Sequence, residues 1–165
     1  EVLLATKKGQ ACRFNTDDVR PTGRGAYGVI GIDLDKGDEV VALCALPASK
    51  EQAAKSSILT ITEHGYGKRS EIEEYRLTSR GGKGVINLKV AEKNGDVVVS
   101  RAVENTDTII VTTVKGVVMR TAVKGISLLG RNTQGVRIVK MQPGDKVIDL
   151  VRVKTIEGAE NGNGA

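Results

Sequence analysis

Tryptophan is absent from the 165-residue chain, and its aromatic side chains are only Phe14, Tyr27, Tyr66 and Tyr75. Single-strand nucleic-acid binders interleave aromatic platforms with basic residues, so this composition argues against that class. Histidine occurs once, as His64 in the turn-like Glu63-His64-Gly65, which leaves no Ser/His/Asp set and reads as a surface residue. Cys12 and Cys44 have no further Cys or His nearby, which argues against a zinc site and for buried thiols. No metal ligand set is present. No apolar run approaches the roughly 18–20 residues of a membrane span. The first residues, Glu1-Val2-Leu3-Leu4, lack the basic start and cleavage site of a signal peptide, and a missing initiator Met is what a fragment would show.

What is present is glycine, 20 residues of it, alongside many Val and Ile and 27% charged residues, a composition of folded strands joined by tight turns. The chain also repeats. Leu3–Gly9, Leu59–Gly65 and Ile110–Gly116 superpose, with their glycines 56 and then 51 residues apart. Arg13, Arg69 and Arg120 keep both intervals, as do Arg24, Arg80 and Arg131, and as do Gly28, Gly84 and Gly135, each followed by Val. Each copy reads as four strands: 2–6, 11–15, 28–34 and 39–46; then 58–62, 67–72, 84–90 and 97–103; then 108–113, 117–122, 135–141 and 146–153. Four-stranded units of about 50 residues are the signature of propeller-like blades.

The blades fall at about 1–46, 57–105 and 106–156, within a unit spanning 1–156. Residues 47–56 form a polar linker whose Ala48–Lys55 stretch is the best helix candidate. The Gly- and Asn-rich tail 157–165 is expected to be disordered. Three blades cannot bend a twisted sheet into a ring, so further blades are expected N-terminal to Glu1, or else two copies must associate.

Charge is uneven. Net charge is −1 over residues 1–46, +1 over 57–105 and +5 over 106–157. Basic residues recur at fixed loop positions: Lys68 with Arg69, Arg80 with Lys83, Arg131 with Arg137. Equivalent loops of a radial array fall on one rim, giving a curved basic track suited to a polyanion. With no recognition helix or zinc finger, contact with duplex backbone is what remains. The candidate DNA contacts are Lys68, Arg69, Arg80, Lys83, Arg131, Arg137, Arg24, Arg13, Arg120, Lys7 and Lys8. For Arg13, Arg69 and Arg120 a second reading stands equally: arginines that brace adjacent blades through carboxylates or carbonyls. Arg80-Gly81-Gly82-Lys83-Gly84 reads either as a phosphate-wrapping loop or as a sharp turn. Gly65-Tyr66-Gly67-Lys68-Arg69-Ser70 misses the phosphate-loop spacing. Glu71, Glu73 and Glu74 are placed on a face turned from DNA. The chain reads as non-catalytic.

Gly65-Tyr66-Gly67-Lys68-Arg69, Tyr75–Ile86 and Leu129–Val136 resemble the C-terminal domain of bacterial DNA gyrase A, and the resemblance runs from about Glu1 to Val153. The best match is to its last three blades. The resemblance implies an all-β, propeller-like β-pinwheel, here three four-stranded blades of a six-bladed domain, in which neighbours exchange strands. It implies wrapping of double-stranded DNA, largely independent of sequence, with positive handedness, for ATP-dependent negative supercoiling. The implied partners are the N-terminal region of gyrase A and the companion protein gyrase B, with ATP and Mg in the holoenzyme, none in this fragment, and a cytoplasmic, nucleoid-associated location. Thr78–Gly84 is an echo, lacking the Gln, of a signature box expected upstream. The DNA-cleaving tyrosine belongs to the N-terminal region, so Tyr27, Tyr66 and Tyr75 are not cast in that role. Two alternatives stand: the equivalent domain of topoisomerase IV, and a protein-interaction propeller whose basic rim is incidental.

Overall fold

A computed structural model describes residues 1–154, so the tail reading lies outside the described residues. Among the described residues there are eleven strands, one short helix and three single-turn 3₁₀ segments. In the first unit β1 (Val2–Thr6) and β2 (Gln10–Phe14) form a hairpin and β3 (Val40–Ala45) pairs with β1. Helix α1 (Lys50–Lys55) follows; it starts where the Ser49 hydroxyl accepts the Gln52 N–H, and it has Glu51 in its first turn and Lys55 in its last. The second unit holds β4 (Ser56–Thr62), β5 (Tyr66–Glu71), β6 (Val85–Ile86) and β7 (Val97–Glu104). The third holds β8 (Thr108–Thr113), β9 (Val118–Ala122), β10 (Val136–Arg137) and β11 (Val147–Val153).

The sheets do not coincide with the repeats. Their strand orders are β3-β1-β2-β6, β10-β5-β4-β7 and β11-β8-β9. Strand β6 of the second unit pairs with β2 of the first, Ala11 opposite Val85 and Gln10 opposite Ile86. Strand β10 of the third unit pairs in the same way with β5, Gly67 opposite Val136. Each unit therefore completes the sheet before it. This corrects the reading of four strands within each copy: 84–90 and 135–141 shorten to two paired residues each, and both belong to the preceding sheet. Residues 28–34 form no strand, and Val29 and Ile30 are 47% and 69% exposed. The third sheet has three strands among the described residues.

Glycine makes the handover possible. Gly84 has φ +77° and Gly135 φ +75°, in the left-handed region where a side chain is strained. A Cβ on Gly84 would overlap the Ala11 carbonyl oxygen, and one on Gly135 would lie 2.7 Å from the Gly67 oxygen. The core lies in the seams. Leu3, Ile58, Ile72 and Tyr75 pack between the first and second units, and Leu59, Ile61, Ile109, Val123 and Leu150 between the second and third. The inner strands β3, β7 and β11 are neighbours, β7 lying between the other two. Cys12 and Cys44 are free and buried. Among the described residues no helix is long and apolar enough to cross a membrane.

Candidate nucleic-acid interface

The sequence-derived basic residues divide into those that hold the seams and those that face solvent. Lys68 is 1% exposed, and its ammonium donates to Ser70 Oγ and to the Gly130 carbonyl, both at 2.8 Å. It is a cross-seam tether and is inaccessible to a phosphate, which corrects its place among the contacts. Arg69 is also buried. Its guanidinium donates to the Ile126 carbonyl at 2.9 Å and to Asn105. Arg13 makes the equivalent contacts one seam earlier, with the Ile72 and Tyr75 carbonyls at 3.0 Å and an ion pair to Glu1. For Arg13 and Arg69 the geometry is therefore the bracing one. Arg120, the third member, has no such partner among the described residues.

Arg80 and Arg131 act as staples of a second kind. Arg80 donates to the Asp18 and Ile30 carbonyls of the first unit (2.9 and 3.1 Å), and Arg131 to the Glu74 and Ile86 carbonyls of the second (3.1 Å each). The Arg131 backbone N–H also donates to the Glu74 carboxylate at 2.8 Å, so Glu74 belongs to a seam. Arg24, the same repeat position in the first unit, is exposed and has no such partner among the described residues.

Burial pushes the Lys68 ammonium down to about 8, with Glu74 pulling it up and Arg131 pushing it further down. The unfolded chain keeps that proton up to the ordinary lysine value of 10.5. Between about pH 8 and that value the unfolded state binds more protons, so this residue's contribution to stability rises with pH. The expected result is that wild type gains on Lys68→Met across that window by on the order of 2 kcal/mol. That is less than the whole shift implies, because the Ser70 and Gly130 oxygens hold the charged form. Chemical denaturation of both proteins at each pH checks it, and the difference cancels the buried Tyr75 phenol, which burial pushes up.

One group of exposed cations lies beside the turn of the β4–β5 hairpin. At the seam between the second and third units the Tyr66 ring lies 5.3 Å from Lys93 Nζ and 5.4 Å from the Arg137 guanidinium carbon, and Arg137 donates to the Tyr66 hydroxyl at 3.0 Å. His64 Nδ1 is 3.2 Å from the Lys93 carbonyl oxygen, and the Gly65 carbonyl accepts the Ile138 and Val139 N–H groups, which brings Lys140 alongside. Lys89, whose N–H donates to the Thr133 carbonyl, and Lys140 are both exposed and have no carboxylate partner among the described residues. Two cations on one ring repel each other, and a phosphate between them relieves that repulsion.

The seam between the first and second units differs. The positions of Tyr66 and Arg137 are held there by Gln10 and Ile86. Lys83 is ion-paired with Asp35 at 2.8 Å and with Asp33 at 3.8 Å. Lys7 pairs with Glu39 at 3.4 Å and Lys8 with Asp96 at 3.0 Å. Sequence reading missed Lys89, Lys93, Lys140 and Tyr66. The signal available was a break in the repeat: an aromatic and a cation, Tyr66 and Arg137, where the preceding copies have Gln10 and Ile86. Among the described residues no cluster of His, Cys, Asp or Glu could hold a metal ion.

The model of the DNA gyrase C-terminal domain, β-propeller, matches residues 1–43, 56–100 and 107–154. DNA gyrase A of Haloquadratum walsbyi is 43% identical over 150 residues, which is 91% of this chain and 17% of that protein. The chain thus spans under a fifth of the length of such relatives. The solved structure of a DNA gyrase A C-terminal domain superposes with a TM-score of 0.82 at 31% identity, over 92% of this chain and 50% of that one. The C-terminal domain of a DNA topoisomerase IV gives 0.84 at 25%, over 93% and 46%. The two shapes are equally close, and it is the family match and the sequence relatives that decide: the chain belongs to the DNA gyrase C-terminal domain family, with its β-propeller fold.

Proposed function

We propose that this chain binds the backbone of duplex DNA along its hairpin-turn rim and bends it, as part of a wrapping domain of a type II DNA topoisomerase. The observation that carries this reading is the cluster of Lys93 and Arg137 on Tyr66, flanked by Lys89 and Lys140, cations without carboxylate partners among the described residues. Phosphate contact by such residues is sequence-tolerant and releases counterions. A duplex following the rim past successive seams must curve, and the curve supplies the wrap. In the whole protein the wrapped segment passes to the cleavage gate of gyrase A, and gyrase B, with ATP and Mg, drives strand passage toward negative supercoils. The chain itself supplies binding surface and no reacting group.

The test is binding of this chain to a mixed-sequence duplex over a salt series, together with the linking number of plasmid relaxed in its presence. Each phosphate neutralised contributes about −0.9 to the slope of log K against log salt, so three to four contacts predict a slope near −3. That slope with a positive shift in linking number supports binding and wrapping. The slope without the shift removes wrapping from these three units. No binding at low salt removes the rim assignment.

A further inference from the structure

Each hairpin turn carries a basic residue directly before its glycine: Lys8 before Gly9, His64 before Gly65 and Lys115 before Gly116, one position of the repeat. The two lysines hold their charge permanently, whereas imidazole gains or loses it between about pH 5 and 8. Given duplex binding along the rim, on which this rests, we propose that His64, the chain's single histidine, is a backbone contact in its protonated form, so that DNA binding is coupled to uptake of a proton at this residue. The ring is placed for that charge state. Nδ1 is 3.2 Å from the Lys93 carbonyl oxygen, which can only accept, so Nδ1 carries a hydrogen. Nε2 faces a second acceptor, Glu63 Oε1, at 3.6 Å. A neutral ring turns a lone pair toward that carboxylate, and an imidazolium turns a donor toward it.

The neighbours are fixed. The Glu63 and His64 N–H groups donate to the Asp96 and Asn94 carbonyls, and Glu63 Oε2 takes the Lys146 ammonium at 2.9 Å. Lys115 repeats the arrangement with a permanent charge, its ammonium donating at 2.7 Å to the Pro143 carbonyl in the corresponding turn of the third unit. The charged groups around His64 decide what a phosphate meets there. The turn before β7 brings Glu92, Lys93 and Asp96, the turn before β11 brings Asp145 and Lys146, and the stretch after β10 brings Lys140, with Arg137 beyond it on Tyr66. Asp96 is occupied by Lys8, Asp145 by the N–H groups of Lys115 and Lys146, and Glu63 by Lys146. Because Lys146 and Glu63 already cancel, a proton on His64 adds a net positive charge beside Lys93 and Lys140. A phosphate at that cluster stabilises the added charge, and by linkage the proton strengthens phosphate binding to the same extent.

Duplex affinity of wild type, His64→Gln and His64→Lys, measured over a salt series at two pH values, tests this. Wild type is expected to bind about fivefold more tightly at about pH 5.5 than at about pH 7.5, with a salt slope steeper by about 0.9 at the lower pH. His64→Gln is expected to bind at both pH values as wild type does at the higher one, and His64→Lys at both as wild type does at the lower one. The single histidine also gives one set of ring-proton NMR signals, and their titration midpoint is expected to move to higher pH when duplex is added. Binding that is as pH-dependent in His64→Gln as in wild type, or a midpoint unmoved by saturating duplex, would overturn the proposal and leave rim binding standing. No binding by wild type at either pH would remove the rim reading, and the proton coupling with it.

Discussion

Gly84→Val is expected to lower the stability of the chain by on the order of 4 kcal/mol, and Gly28→Val, at the same repeat position, by almost nothing in dilute solution. Both glycines precede a valine, and by sequence they are interchangeable. Gly84 sits at φ +77°, where a β-branched residue is strained, and its added Cβ would overlap the Ala11 carbonyl oxygen. Neither atom can retreat. Ala11 is held opposite Ala5 in the β1–β2 hairpin and opposite Val85 across the seam, so relief requires separating β6 from β2. Losing that pair also withdraws Leu88, which is 1% exposed, and Asn87, whose side chain bonds Tyr75, Thr60 and Ser100 in the interior. The shift in urea midpoint measures the effect. Equal midpoints for the two variants would show that the handover strand adds nothing to stability.

That contrast marks how far the sequence could be read. The hairpins β1–β2, β4–β5 and β8–β9 were legible because alternation of apolar residues and a turn glycine are local properties, and the helix 50–55 because Ser49 and the following polar residues form a local start signal. The ownership of 84–90 and 135–141 was not, since Val85 and Val136 carry the same pattern whichever sheet they complete. Only the resemblance to the gyrase domain implied exchange between neighbours. The 3₁₀ turns at 16–18, 72–74 and 123–125 also escaped, their short, charged segments giving no periodic signal. Repeat position named the right arginines but not their duties. Arg13 and Arg69 recur because each unit must hold the next turn's carbonyls, a structural reason that a charge count cannot separate from phosphate contact. The buried lysine was invisible for the same reason. Lys68 occupies the position of Cys12, whose thiol lies 4.0 Å from the Ser79 carbonyl oxygen, and each side chain spans its seam to the same loop position of the next unit.

The surface that touches DNA is expected to be lopsided, and replacing Lys93 and Arg137 together by Ala is the variant that shows it. Lys93 and Arg137 have no carboxylate partner among the described residues, and their organised contact is the Tyr66 ring. A phosphate meeting them displaces no protein ion pair, so their electrostatic contribution to binding is retained in full. Lys83 must first leave Asp35 and Asp33, and Lys8 must leave Asp96, before either can serve a phosphate, and that exchange of one anion for another is nearly neutral. The double variant is therefore expected to weaken duplex binding by roughly 30-fold at low salt and to reduce the salt slope by about 2, one contact for each cation lost. Lys83→Ala is expected to change affinity by less than about threefold and to leave the slope unaltered. Tyr66→Leu separates the ring's role from that of the charges. It keeps both cations but frees them to move apart, so affinity falls while the slope stays near wild type. The three slopes, measured on one duplex, decide the matter. A double variant that binds like wild type would move the DNA contacts away from the seam between the second and third units, and a large loss in Lys83→Ala would place them at the seam before it.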